Sequence, residues 1–187
     1  MMHVKKAIFA VLALAASAGI GYAAGVSGPI PDISTLNPAA VKLTLPKDIK
    51  WGPAAGLEGT DSFTLFGDPG KEGFYIVLNR FHPGFFSHPH YHANDRYVMV
   101  LDGSWWVGTG GKYDPEKATV PMAKGTFAIH KGKEVHYDGA RTGADEAIVM
   151  IFGNGPGTRH ECEGQTAEKG PGPCADARKA AGLPALN

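Results

Sequence analysis

The chain has 187 residues with 18 basic and 18 acidic side chains, so it lacks the basic footprint that nucleic acid requires. Its 26 glycines and 14 prolines favour many turns and few long helices. A chain of this size is expected to form one domain with a core of its own.

The first residues read MMHVKKAIFAVLALAASAGIGYAAG. Lys5 and Lys6 precede an uncharged apolar run over residues 7–20, and the small residues Gly21 and Ala23 stand at −3 and −1 of a cleavage point. This is the layout of a secretory signal peptide over residues 1–23. The apolar run is short against the ~20 residues that span a bilayer, which makes an uncleaved N-terminal anchor the lesser alternative, and no membrane association is expected after cleavage. Cleavage takes two lysines from the 18 basic residues, leaving 16 against 18 acidic ones. The expected location is periplasmic or secreted. Residues 24–40, rich in proline and glycine, read as an N-terminal arm.

From residue 41 to 155 short β-prone runs alternate with turn signals: VKLTL, SFTLFG, GFYIVLNRF, RYVMVL, SWWVG, TVPM, TFAIH, VHY and EAIVMIFG. Asp102 with Gly103, and Asp138 with Gly139, are Asp-Gly pairs of the kind that close hairpins. No helical stripe interrupts the series, and the pattern predicts an all-β sandwich or barrel. Phe127 and Ile129 share parity and are expected inside the barrel, with His130 out of phase and turned away. Trp105 and Trp106 are adjacent, so one lines the cavity and the other faces outward. His82 and His160 read as surface residues. Residues 156–187 form a Gly/Pro-rich tail in which ADARKAAGL is the only helical stretch. Cys162 and Cys174 are the only cysteines, and in an exported chain they most simply form one disulfide that staples this tail.

Residues 82–92, HPGFFSHPHYH, hold four of the chain's eight histidines. Side chains at i and i+2 share a strand face, so His90 and His92 would converge as metal ligands must. Read alone, the segment fits a solvent-facing cluster equally well. The longer stretch PGFFSHPHYHANDRYVMVLDG resembles the first motif of the cupin superfamily, with Pro83, Gly84, His90, His92 and Gly103 in place. GTFAIHKGKEVHYDGA is similar to the second motif, with Gly125 opening it and His136 at the third histidine position. The resemblance covers about residues 70–155 and implies a small cupin-type β-barrel (double-stranded β-helix, or jelly roll), often a homodimer, with a metal inside.

The chain departs from that pattern where a glutamate is expected: Arg96 stands there, and an arginine has no lone pair to give a metal. Lys131, Lys133 and Ala140 replace the second motif's Pro, Gly and Asn. The resemblance therefore implies a site of His90, His92 and His136 alone, or one that recruits Asp95 or His88 as a fourth ligand. Loss of the metal altogether is the plain alternative. Imidazole suits iron, nickel, copper, zinc or manganese, and spacing does not choose among these divalent ions. Three-histidine cupins are similar to dioxygenases, so the first expectation is oxygenation of a small anionic or enolisable molecule. A metal-dependent isomerase or lyase, or a non-catalytic protein that binds a metal or small ligand, shares the same site. If Arg96 keeps the strand register it faces inward with Val98 and Val100, and is expected to clamp an anionic substrate or to pair with an acid inside the barrel.

Overall fold

The computed structural model describes residues 32–110, 113–162 and 174. The chain divides after Lys42 into two units, Met1–Lys42 and Leu43–Asn187. In the first, the described residues hold a short 3-10 turn, Ile33–Thr35, whose first turn is capped by the Asp32 carboxylate accepting from Ser34 N at 2.9 Å. The signal-peptide segment lies outside the described residues.

The second unit is built from strands: β1 Gly52–Pro53, β2 Thr60–Phe66, β3 Gly73–Phe81, β4 His90–His92, β5 Arg96–Asp102, β6 Ser104–Thr109, β7 Val120–Ala123, β8 Phe127–His130, β9 His136–Gly139, β10 Ala147–Gly155 and β11 Arg159–Glu161. They form a six-stranded sheet in the order β1-β2-β3-β10-β5-β8 and a five-stranded sheet in the order β11-β4-β9-β6-β7, with every pairing antiparallel. The chain has the all-β architecture the turn-punctuated β-runs predict. Two details differ. Residues 41–45 form no strand and lead into a 3-10 turn, Pro46–Asp48, opened by Pro46. The helical stretch expected at 175–183 lies outside the described residues.

The two Asp-Gly pairs behave differently from each other. At Asp102 and Gly103 the chain does turn, with φ of 68° at Gly103, but β5 and β6 belong to different sheets, so the turn is a corner between layers rather than a hairpin. A Cβ at Gly103 would collide with the Glu146 carbonyl. Asp138 and Gly139 do not turn at all; they lie within β9. Gly139 is needed because the backbone of Phe85 and Phe86 passes against it, where any Cβ would strike the Phe85 carbonyl oxygen.

Inward-facing residues fill the space between the sheets. Phe81, Val98, Val100, Trp105, Ala140, Ala147, Val149 and Ile151 make one apolar cluster. Parity places Arg96 on the same face as Val98 and Val100, as expected. It also reverses one expectation. Because Arg96 pairs with His130 and Tyr97 with Ile129, His130 is the inward residue, while Phe127 and Ile129 point outward and are 51% and 44% exposed. The outer face of the six-stranded sheet is itself apolar: Tyr97 stacks on Phe127 at 6.2 Å and on Phe152 at 5.5 Å, and Phe152 meets Phe74 at 6.4 Å. Aromatic character therefore does not mark the interior of this sheet.

Of the remaining residues, Trp105 is fully buried and Trp106 carries the Arg141 guanidinium 3.9 Å from its ring centroid. His160 is exposed and stacked on Tyr91. His82 is not an ordinary surface group; it is half-buried between Glu146, 2.6 Å from Nδ1, and Asp61, 3.1 Å from Nε2. Cys162 and Cys174 are joined in a disulfide, packed with Val135 and Tyr91.

Candidate metal centre

His90 and His92 project from the same face of β4, and His136 is the cross-strand partner of His90 on β9. Their ring centroids lie 4.5 Å (His90 to His136), 4.9 Å (His90 to His92) and 5.5 Å (His92 to His136) apart. All three are buried, and their potential ligand atoms lie within 4.8 Å of one another.

Each ring is held in one tautomer. Nδ1 of His90 is 2.7 Å from the His88 carbonyl, Nδ1 of His92 is 2.8 Å from that of Thr158, and Nδ1 of His136 is 3.2 Å from that of Glu134. A carbonyl only accepts, so each Nδ1 carries the proton and each Nε2 keeps a free lone pair. Nε2 of His92 and of His136 is buried with no hydrogen-bond partner. Burial holds all three rings unprotonated, pushing His92 down to about 2, His136 down to about 4, and His90 lower still, with Arg96 and the neighbouring imidazoles adding to the effect. Unprotonated rings fixed at Nδ1, with unpartnered Nε2 lone pairs converging, fit a divalent transition metal. The three residues could hold one.

The two proposed fourth ligands are not brought in. Asp95 is exposed, and its carboxylate accepts from Lys131 Nζ and Gly132 N, both at 2.7 Å. It precedes β5 by one residue and so faces away from the inward parity of Arg96. His88 is exposed, contributes its carbonyl to His90, and turns its ring to Tyr113 at 4.9 Å. Pro89 is buried in a bend between His88 and His90, and β4 begins only at His90.

Beside the triad lies a second polar group. Arg96 donates through Nε to Nδ1 of His130 at 3.3 Å and hydrogen-bonds the Tyr75 side chain. Burial lowers the Arg96 guanidinium, and the negative charge of Asp138 is the leading influence in the other direction. Asp138 is itself buried and accepts from Ser87 Oγ at 2.5 Å and Trp105 Nε1 at 3.2 Å. Among the described residues Arg96 thus has an acid nearby but no ion pair within contact distance. At the other edge, Arg159 and Glu161 pair in register with His92 and His90 and form an ion pair at 2.6 Å. A cavity of about 550 Å3 reaches this edge, lined in part by Phe86, Ser87, His88, Tyr113, Arg159 and Glu161.

His130, Asp138, Arg159 and Glu161 were not indicated as site residues by sequence. Cross-strand parity carried over from Arg96 would have found His130. Asp138 was hidden by a turn-like dipeptide, and β11 is too short and polar to register as a strand.

No family model matches the chain, and no curated protein matches it. Among solved structures, the polyketide cyclase RemF from Streptomyces resistomycificus superposes with a TM-score of 0.54 at 18% identity, covering 65% of this chain and 84% of that one. A cupin-2 domain protein from Rhodospirillum rubrum gives a TM-score of 0.49 at 16% identity over 69% of this chain and 82% of that one. A cupin-like protein from Thermotoga maritima gives 0.48 at 22% identity over 70% and 91%. The chain has the cupin fold. Both of its cupin-like motifs deliver their histidines to one point, β4 from the first and β9 from the second. Arg96, where the motif resemblance would place a glutamate, is directed inward beside the histidines, so the donor set of the triad is wholly neutral.

Proposed function

We propose that His90, His92 and His136 hold one divalent transition metal, iron, nickel, copper, zinc or manganese, and that the protein binds and transforms a small oxygen-bearing organic anion there. The observation that carries this is the convergence of three Nδ1-pinned imidazoles, of which His92 and His136 hold a buried Nε2 with no protein partner. A bound metal would act as a Lewis acid toward the substrate or as a site for oxygen.

Charge supports an anionic ligand. The imidazoles are neutral, Arg159 is paired with Glu161, and Arg96 is offset by Asp138, so the polar interior is near balance before an ion enters. A dication on neutral ligands then leaves two positive charges in a medium where unpaired charge is costly. An anionic substrate restores the balance. Arg96 cannot present its Nε edge to that anion, because Nε is committed to His130; it contributes field and any remaining Nη donors instead. Oxygenation of an enolisable substrate remains the first reading. A metal-dependent isomerase or lyase is the second reading, and non-catalytic binding of a metal or small ligand is the third. The disulfide supports an oxidising location, which agrees with an exported chain and a cleaved leader.

The test is metal content. Purified protein should carry or take up about one equivalent of metal, and His136→Ala should lose it while keeping its far-ultraviolet circular dichroism. Wild-type protein that binds no Co(II), Zn(II), Fe(II), Ni(II), Mn(II) or Cu(II) would remove the proposal.

A further inference from the structure

A fourth imidazole lies beside the triad and is not one of its converging ligand atoms. His130 is 7% exposed, its ring centroid is 3.8 Å from that of His136, and Trp105 packs at 5.3 Å. Its Nδ1 accepts from Arg96 Nε, and a guanidinium has nothing to accept with. The Nδ1 lone pair is therefore used, and in the neutral ring the proton must sit on Nε2. That Nε2 is buried and has no partner. A buried donor without an acceptor costs about 1–3 kcal/mol, and native interiors seldom leave one so. The arrangement makes sense if the acceptor arrives with a ligand.

We propose that His130 donates from Nε2 to an oxygen of the bound substrate, and that Arg96 is the positioning residue that fixes His130 in this donor tautomer. The inference rests on the reading that the triad holds a metal, and it narrows the substrate to one with an acceptor oxygen, a carboxylate or enolate. Ammonium groups, which have no acceptor, would be refused. The pairing also accounts for arginine at the cupin glutamate position: the residue instructs a neighbouring imidazole instead of binding the ion.

Two measurements test it. In long-range proton–nitrogen spectra of the wild-type protein, His130 should show a protonated Nε2 and an unprotonated Nδ1, and Arg96→Met should mix the tautomers. The reverse tautomer in the wild type would overturn the proposal. Second, Co(II)-loaded protein is titrated with glycolate and followed by its visible spectrum. His130→Phe should retain one equivalent of Co(II) but bind glycolate about tenfold more weakly, a difference of about 1.4 kcal/mol. His130→Gln, which restores an N–H, should recover part of the loss. Glycolate affinity within about twofold of wild type in His130→Phe would defeat the donor role while leaving the three-histidine site standing, and loss of cobalt from that variant would defeat it by making His130 part of the metal site. A wild-type protein that binds no cobalt defeats the metal reading itself and this proposal with it.

Discussion

Three imidazoles buried together are costly to protonate, and this is visible in what sets each one. Desolvation leads for His90, His92 and His136, and Arg96 repels a second positive charge. In the unfolded chain each would take up a proton near 6.5, whereas in the folded chain His136 does so at about 4 and His92 at about 2. Between these values the unfolded state binds more protons, so stability rises with pH there. The metal-free protein should therefore be fully stable above about 6.5 and lose stability steadily as the pH falls toward about 4. Urea melts across that range should report net uptake of about two protons or more on unfolding. A flat profile would show that the rings are not sequestered as described. Zinc should steepen the acid dependence, because the metal requires the same unprotonated nitrogens.

At the scale of elements, β9 carries the heaviest duty. Its four residues supply a triad ligand (His136), the carboxylate that balances Arg96 (Asp138), and a gap for the 85–86 backbone (Gly139). Gly139→Ala would drive a Cβ into the Phe85 carbonyl and the Phe86 backbone, neither of which can rotate away. We expect a loss of about 2–4 kcal/mol in urea unfolding, together with weaker metal binding because β9 must shift. An unchanged midpoint would mean the strand is less closely overlaid than described. This element also shows where legibility stopped. His136 could be assigned from motif position, and His90 and His92 from period-two spacing on β4. Asp138 and Gly139 could not, because the same dipeptide that ends strands elsewhere here continues one, and only the crossing of a distant backbone requires it. On β8 parity was available but its origin was misplaced: Phe127 and Ile129 suggested the inside, yet this sheet is apolar on its outer face too, so hydrophobicity fixed the alternation without fixing its phase. Arg96, one strand away, held the correct phase.

At the scale of the molecule, the strand-built unit combines an apolar core with a buried polar group. Apolar residues from Phe81 to Ile151 pack in one cluster, and the triad with Arg96, His130 and Asp138 forms a polar group that meets it at Trp105, with the Arg159–Glu161 pair on the strand beside β4. The strand that carries His90 and His92 is flanked by β11, the outermost strand of its sheet, held to β4 by three register pairs. Immediately beyond β11, Cys162 donates from its backbone N to the Pro89 carbonyl at 2.8 Å and enters the disulfide to Cys174. Immediately before it, Thr158 presents the carbonyl that fixes the His92 ring. The bridge thus fastens a strand that orients a ligand, and a bond with no metal chemistry of its own acquires a say in the order of maturation. We expect a chain that meets metal while its thiols are still reduced to hold the His92 ring less firmly than the oxidised chain does. The Cys162→Ser/Cys174→Ser protein should lose about 2–3 kcal/mol of stability, as expected for so short a closed loop. It should also bind Zn(II) about tenfold more weakly, the usual effect of releasing a ligand's outer partner. Competitive chelator titrations of oxidised, reduced and doubly substituted protein measure this directly. Equal affinity in all three would show that β11 stays in place unaided, and that metal uptake keeps no memory of the redox history of the chain.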